Sequence, residues 1–329
     1  MKRHLETHGA QLVDLSIPNR FLSMGLRRAW AHLGAPTPLL MAGRVDVVHS
    51  VDDISVPRVH RSPLVVTCQD LSALRRPDLV GQRLVRLKRS SYRRAAEWSA
   101  VVVPSLATGE EVSELTKAPV HVVRLVVDDI WRTDPTGPAR SRITELLHDA
   151  PYVVCVGPVS LKKGSDLLRD AWKLVAARLP AARLIWVTLG RHEMRGVLAG
   201  PSSAGVASPN EWVARADGII EVRSLTDEDL VALVAGAAAT VVPSRYEGFS
   251  YPIAEAAAQG TPVVATDIAP HREFELAGLE LVPVEDAGAL SEALDGVLRS
   301  RPRFPPVREK RTLDDVAAET AAVYTAVAE

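Results

Sequence analysis

The sequence predicts an α/β protein made of two parallel-sheet domains. Short runs rich in Val, Ile and Leu alternate with longer helical patterns along most of the 329 residues. The runs are almost continuously apolar, as strands covered by helices on both faces must be. A polar stretch with two prolines and a glycine, Arg132-Thr133-Asp134-Pro135-Thr136-Gly137-Pro138, then separates two sets of such runs. It reads as a linker, which sets the expected domains at residues 1–135 and 136–329.

Leu12 to Ile17, Val45 to His49, Leu64 to Cys68, Ala100 to Pro104 and Val120 to Val127 are the expected strands of the first sheet. Those of the second are Val153 to Val156, Leu184 to Leu189, Gly218 to Val222, Thr240 to Pro243, Val263 to Thr266 and Leu279 to Pro283. No internal repeat at a solenoid period is visible.

Composition narrows the function classes. The chain is 47% hydrophobic and 24% charged with a net charge of −1, an ordinary globular balance. Residues 1–135 hold 19 Lys plus Arg against 14 Asp plus Glu, and the remainder holds 20 against 26. The first half is therefore basic and the second acidic, and nothing in either points to nucleic acid. Cys68 and Cys155 are the only cysteines. Both lie in apolar runs, which fits a reducing compartment and offers neither a disulfide framework nor a metal-ligand set. No window approaches eighteen apolar residues, and MKRHLETHGA lacks the apolar core of a signal peptide. A cytoplasmic location is expected. Abundant Arg, Ala and Val fit a bacterial, high-GC source.

The most informative segment is VVPSRYEGFSYPIAEAAAQGTPVVATDIAPHREF, Val241 to Phe274. An apolar run ends in Pro243-Ser244, a polar loop follows, and Pro252 sits where the first turn of a helix tolerates proline. The helix is Ala-rich and stops at Gly260, with Pro262 beyond it and Val263-Val264-Ala265 as the next strand. Two carboxylates, Glu247 in the loop and Glu255 in the helix, thus stand beside one helix start. Such a start attracts phosphate, and acids beside it make sense when the ligand also presents hydroxyls. A glutamate in a first turn is stabilised by the macrodipole alone; Glu247 has no helix to favour it.

This segment resembles the signature of family 4 (group 1) glycosyltransferases of the GT-B fold: Pro-Ser, two residues, Glu-Gly-Phe-Gly, two residues, a second glutamate, then small residues and Gly-Thr-Pro-Val. VDVVHS from Val45, LVVTCQDLSALRRP from Leu64, AVVVPS from Ala100 and YVVCVGPVSLKKGSDLL from Tyr152 resemble further family segments in the expected order. The resemblance implies two Rossmann-like domains facing a cleft, an acceptor-side domain first and a nucleotide-sugar domain second. It implies a retaining, metal-independent transfer of a hexose from a nucleoside-diphosphate sugar to an acceptor, a lipid-linked glycan or a small molecule. No cofactor is implied. Glu247 would contact sugar hydroxyls near the anomeric carbon and Glu255 the ribose. Lys163, with backbone N–H groups of Gly248, Phe249 and Ser250, would hold the diphosphate, in a pocket completed by Gly157, Lys162 and Arg245. Gln69, Asp70 and His49 would lie on the sugar and acceptor side.

The chain departs from the pattern at several places. Ser250 replaces a glycine, Pro158 stands where many relatives have arginine, and Gln69 where they often have histidine. No Asn-Gly precedes Val127-Asp128, and no glycine-rich loop precedes Val45, so a shortened first domain is expected. These departures keep open an alternative, a catalytically silent partner or regulatory protein of the same fold. A sugar-nucleotide epimerase is a lesser rival. A dinucleotide dehydrogenase is disfavoured because no Gly-x-Gly-x-x-Gly follows the first strand.

From Arg75 to Arg94 there are eight basic residues, Arg75, Arg76, Arg83, Arg86, Lys88, Arg89, Arg93 and Arg94, against Asp78 alone. Gln82 to Trp98 is expected to be a helix with Leu84, Leu87, Ser91 and Ala95 on one face. Its basic surface suggests peripheral contact with anionic lipid at the inner membrane face through residues 75–94.

Overall fold

The computed structural model describes residues 45–54, 56–58, 62–188, 212–214, 216–223, 225–308 and 310–329. The expected strand Leu12 to Ile17 and the region before Val45 lie outside them. The chain divides into two units, Met1–Val126 with Lys310–Glu329, and Val127–Glu309.

The first unit contains β1 (Val48–Ser50), β2 (Leu64–Thr67), β3 (Ala100–Val103) and β4 (Val120–Val122), all parallel and in that spatial order. Its helices are α1 (Ser72–Arg75), α2 (Gln82–Tyr92), α3 (Leu106–Ser113) and the last helix of the chain, α10 (Leu313–Ala328). The second unit contains α4 (Gly137–Leu147), β5 (Tyr152–Val156), α5 (Ser165–Arg178), β6 (Arg183–Val187), β7 (Trp212–Ala214), β8 (Ile219–Val222), α6 (Asp227–Gly236) and β9 (Ala239–Val242). It continues through α7 (Tyr251–Ala258), β10 (Val263–Thr266), α8 (Ala269–Arg272), β11 (Leu279–Val282) and α9 (Ala287–Ser300). Its seven strands lie in the order β11-β10-β9-β5-β6-β8-β7. All pairs are parallel except β7 with β8.

The expected strands within the described residues are present: β10 matches to the residue, β1, β5, β6 and β9 each gain one residue at an end, and Val120 to Val127 shortens to Val120–Val122. The antiparallel edge strand β7 was not anticipated, since three residues carry too little pattern to be read. β3, β9 and β10 are buried at every residue, which explains their unbroken apolar runs.

The domain boundary moves. Arg132 to Pro138 is bound into the second unit rather than spanning freely. Trp131 is 6% exposed within that unit's core. The Gln259 amide donates to the Trp131 carbonyl at 2.6 Å and to that of Thr133 at 3.1 Å, Arg308 donates to the Arg132 carbonyl at 2.6 Å, and Thr136 caps α4. The other correction is α10, which packs Val316 and Val323 against Val65, Ala100 and Val102 of the first sheet. A linear reading of sequence cannot show that a terminal helix returns to the first unit.

α2 is shorter than its pattern suggests and is turned by about one residue. Its buried positions are Val85, Lys88 and Ser91, and Ala95–Glu97 forms a separate short turn. Lys88 is drawn inward because Asp53 waits there. Its Nζ lies 2.5 Å from Asp53 Oδ1 and donates to the Asp70 carbonyl at 2.7 Å, while Tyr92 donates to Asp53 Oδ2 at 2.8 Å. Burial lowers the ammonium's affinity for its proton, but the Asp53 carboxylate more than offsets that and holds Lys88 above its ordinary pKa.

His49 is placed as a strut. Its Nδ1 meets the Tyr324 hydroxyl of α10 at 2.6 Å and its Nε2 the Thr67 hydroxyl at 2.7 Å. Burial depresses its pKa from 6.5 to about 4. The unfolded chain therefore takes a proton at this position before the folded chain does. The stability it gives should be complete above pH 6.5 and decline as pH falls from 6.5 toward 4, by on the order of 2–3 kcal/mol. In a pH series of thermal unfolding midpoints, His49→Asn should flatten this decline; an unchanged slope would remove His49 as its cause.

Candidate functional site

The site is built where the order of the second sheet reverses. From β5 the chain moves outward through β6 to β8, then returns to β9 on the other side of β5. In open α/β sheets the crevice at the carboxyl ends of two such strands is where ligands bind. The loop after β5 carries Gly157, Lys162 and Lys163, and the loop after β9 carries Ser244 to Ser250. Topology alone therefore brings together residues more than eighty positions apart.

Gly164 sets the distance between the two loops. It opens α5 at φ 65°, and a Cβ there would fall on the carbonyl oxygen of Pro243. Only glycine permits this approach. The close packing delivers Lys163 to the second loop, where its Nζ lies 2.6 Å from Glu247 Oε1. Ser244 donates to the same oxygen at 2.6 Å. The Ser244 carbonyl in turn accepts from the Thr266 hydroxyl at 2.5 Å, and the Thr266 carbonyl meets His271 Nδ1 at 2.7 Å. The loops after β5 and β9 are thus joined through one carboxylate, and β10 is tied to the second loop through Ser244.

Glu247 is 8% exposed. Burial raises its pKa, but the ammonium groups of Lys163 and Lys162, with hydrogen bonds from Lys163 and Ser244, together hold it below the usual carboxylate range. It stays ionised, able to accept hydrogen bonds from hydroxyls and unable to act as a resting proton donor. The Lys163 side chain is 30% exposed, so it remains open to a ligand while paired.

The other expected residues divide by role. Gly157 sits at φ 141° and hydrogen-bonds to β6 through Val187. Arg245, expected among the donor-binding cations, is held by Asp166 at 2.6 Å, Glu285 at 2.5 Å and the Leu161 carbonyl at 2.8 Å. Its N–H also donates to the Lys162 carbonyl. It braces the two loops against each other instead of presenting charge. Phe249 packs against Phe274 and Tyr251 with ring centroids 5.4 Å away, anchoring the loop by its side chain. Gly248 is buried beside it, and Glu255 lies half-buried on α7. In the first unit, Asp70 accepts from the Ser72 N–H at 2.8 Å and its hydroxyl at 2.6 Å, while Gln69 is exposed.

Two features escaped the sequence reading. His271 is fully buried, its Nε2 has no hydrogen-bond partner, and burial lowers its pKa. Its place just beyond the end of β10, next to the strand that carries Glu247, was the available signal. The second is the Asp-x-Asp triplet Asp227-Glu228-Asp229, a spacing that can hold a divalent cation. Here it opens α6, with Thr226 as cap and Asp229 buried against Arg142 at 2.6 Å. Among the described residues no group of three or more His, Cys, Asp or Glu is placed to hold a metal ion.

Strand order and paired loops together form the kind of crevice in which open α/β sheets bind ligands. Residues 150–300 match the sequence family described as Glycosyl transferases group 1. D-inositol 3-phosphate glycosyltransferases of Mycobacterium tuberculosis and Mycobacterium bovis are 32% identical over 191 residues, 55% of this chain and 36% of theirs. The chain thus aligns with little more than a third of those relatives' length. Among solved structures, the Anabaena protein HepE in complex with UDP and glucose superposes with a TM-score of 0.62 at 18% identity, covering 99% of this chain and 84% of that one. Sucrose-phosphate synthase from Thermosynechococcus elongatus gives 0.61 at 18%, covering 95% and 79%. Residues 150–300 are thus similar to group 1 glycosyltransferases, and the fold of the chain is that of the GT-B glycosyltransferases.

Ser250 is the departure with a structural cost. It has φ 124° and ψ 80°, a region that favours glycine, and its buried hydroxyl has no hydrogen-bond partner. Ser250→Gly should stabilise the second unit by about 1 kcal/mol or more, read as a higher urea midpoint. A lower midpoint would show that the serine is held by something beyond these contacts.

Proposed function

We propose that this protein is a retaining, metal-independent glycosyltransferase that moves a hexose from a nucleoside-diphosphate sugar to an acceptor in the cytosol. The observation that carries the proposal is the Lys163–Glu247 pair at the reversal of the second sheet. A nucleotide sugar offers both partners something better than each other. Its diphosphate brings negative charge to Lys163, and its sugar hydroxyls bring hydrogen-bond donors to Glu247.

Charge then builds on the leaving diphosphate as the glycosidic bond breaks. Lys163, 30% exposed, and the backbone N–H groups of residues 248–250 ahead of α7 are the groups that would stabilise it. Glu255 on α7 would accept from the ribose. Retention accords with a site whose buried carboxylate is held ionised by two lysines for contact with the donor sugar; the leaving phosphate would take the acceptor proton. Pro158 and Gln69 favour the alternative of a silent partner of the same fold, and the intact Lys163–Glu247–Ser244 network weighs against it.

Peripheral contact with anionic lipid through residues 75–94 is a further part of the proposal, supported by the exposed side chains of Arg86 and Arg89. Salt-sensitive cosedimentation with anionic vesicles tests it, and equal binding by an Arg86→Ser, Arg89→Ser variant would end it.

Glu247→Gln should cut transfer by orders of magnitude while nucleotide affinity stays within a few fold, because the carboxylate acts where the sugar reacts. Lys163→Ala should weaken the nucleoside diphosphate more than the free nucleoside. Normal turnover by the first variant, or equal losses in the second, would contradict these roles. Turnover should persist in excess EDTA; a strict divalent-cation requirement would overturn the account of the leaving group.

A further inference from the structure

The first unit holds a cavity of its own. A cavity of about 190 Å³ opens between α2 and the segment that follows β1. Arg58, Arg93, Arg94, Ser90 and Ser91 line it, with Ile54 and Leu87 as its apolar wall, and no acid among them. Gln69, Asp70 and His49 take no part in it. At about 30 Å³ per water it has room for several, hence for a tetrahedral oxyanion with an attached group.

The lining is unusual in what it leaves unpaired. Arg94 is part of the wall, donating to the Val56 carbonyl at 2.8 Å and lying 3.6 Å from Glu97. Arg58 and Arg93 have no hydrogen-bonding or ion-pairing partner for their guanidinium groups among the described residues. Ser91 is 3% exposed, and its Oγ is buried with no hydrogen-bond partner. A serine in a helix ordinarily turns its hydroxyl back to the carbonyl four residues earlier, as Ser113 does to Gly109 and Ser300 to Gly296, both at 2.8 Å. Ser91 does not. A buried hydroxyl without a partner costs about 1–3 kcal/mol; the Ser91 Oγ is sealed from solvent in this rotamer, and a ligand accepting its proton recovers that cost once the side chain turns into the cavity.

We infer that this cavity binds a phosphate monoester through Arg58, Arg93 and the Ser91 hydroxyl. Two free guanidinium groups match the charge of a monoester, about −1.5 to −2 near neutrality, and their planar donor pairs fit phosphate oxygens two at a time. Ser91 donates to a third oxygen, and Leu87 and Ile54 lie against the esterified group. The same chemistry is presented by a soluble phosphate ester and by a phosphomonoester lipid headgroup. The site is independent of the donor site in the second unit.

Inorganic phosphate is the probe, and thermal unfolding of the whole protein is the readout, since a ligand of the native state raises the midpoint. The wild type should show a saturable rise. Ser91→Ala should leave the ligand-free midpoint equal or higher, because it removes an unpaired hydroxyl, yet weaken phosphate about tenfold. An Arg58→Ser, Arg93→Ser variant should lose the rise, whereas Lys163→Ala should keep it, separating this site from a diphosphate site. A rise lost in Lys163→Ala but kept in the arginine variant, or no saturable rise in the wild type, would overturn the inference. Competition by vesicles containing phosphatidic acid, but not by those containing phosphatidylglycerol, assigns the ligand to a lipid; no competition by either assigns it to a soluble ester.

Discussion

The approach of Gly164 to the Pro243 carbonyl is the constraint on which the site depends. Without it the loops after β5 and β9 would stand further apart, and Lys163 would not reach Glu247. The Lys163–Glu247 pair in turn fixes the protonation state of a buried carboxylate. A carboxylate this deep would otherwise take up a proton rather than stay charged. Here two lysines and a serine make the ionised form the stable one. Arg245, bound to carboxylates on both sides, holds the same loops from outside the pair. The candidate site is thus a place where the charge of Lys163 and that of Glu247 already balance each other.

The first unit uses the same device for another purpose. Lys88 and Asp53 form a buried pair whose remaining hydrogen bonds go to Tyr92 and the Asp70 carbonyl. That pair ties α2 to the segments after β1 and β2. It also sets the rotation of α2, which turns Ser91 inward and leaves Arg86, Arg89 and Arg93 outside. A buried pair with each partner otherwise satisfied is costly to break from one side, so the rotation is firmly set.

Much of this was legible in the sequence. Apolar runs located the strands because parallel strands covered on both faces need unbroken apolar residues, as β3, β9 and β10 show. Glu247 stood out because an acid in a loop has no helix dipole to favour it, and Glu255 through its place in the same motif. Lys163-Gly164 was visible as a motif, though its physical basis, the contact with Pro243, exists only in three dimensions. The misses share one cause. Lys88 reads as one more surface cation, Arg245 as a free cation, and His49 as a cleft residue, because the partners that capture them lie 35, 79 and 275 positions away. The return of α10 to the first unit is hidden for the same reason.

The central claim is that the second unit binds a nucleoside-diphosphate sugar at the Lys163–Glu247 pair. Its most direct test is a thermal-shift panel of UDP-, GDP- and dTDP-sugars on the wild type and on Glu255→Ala. The account predicts a saturable rise in midpoint for one nucleotide family, larger for the sugar nucleotide than for the free nucleoside, with weaker apparent affinity in the variant. No shift with any of them, or a shift indifferent to Glu255, would contradict it.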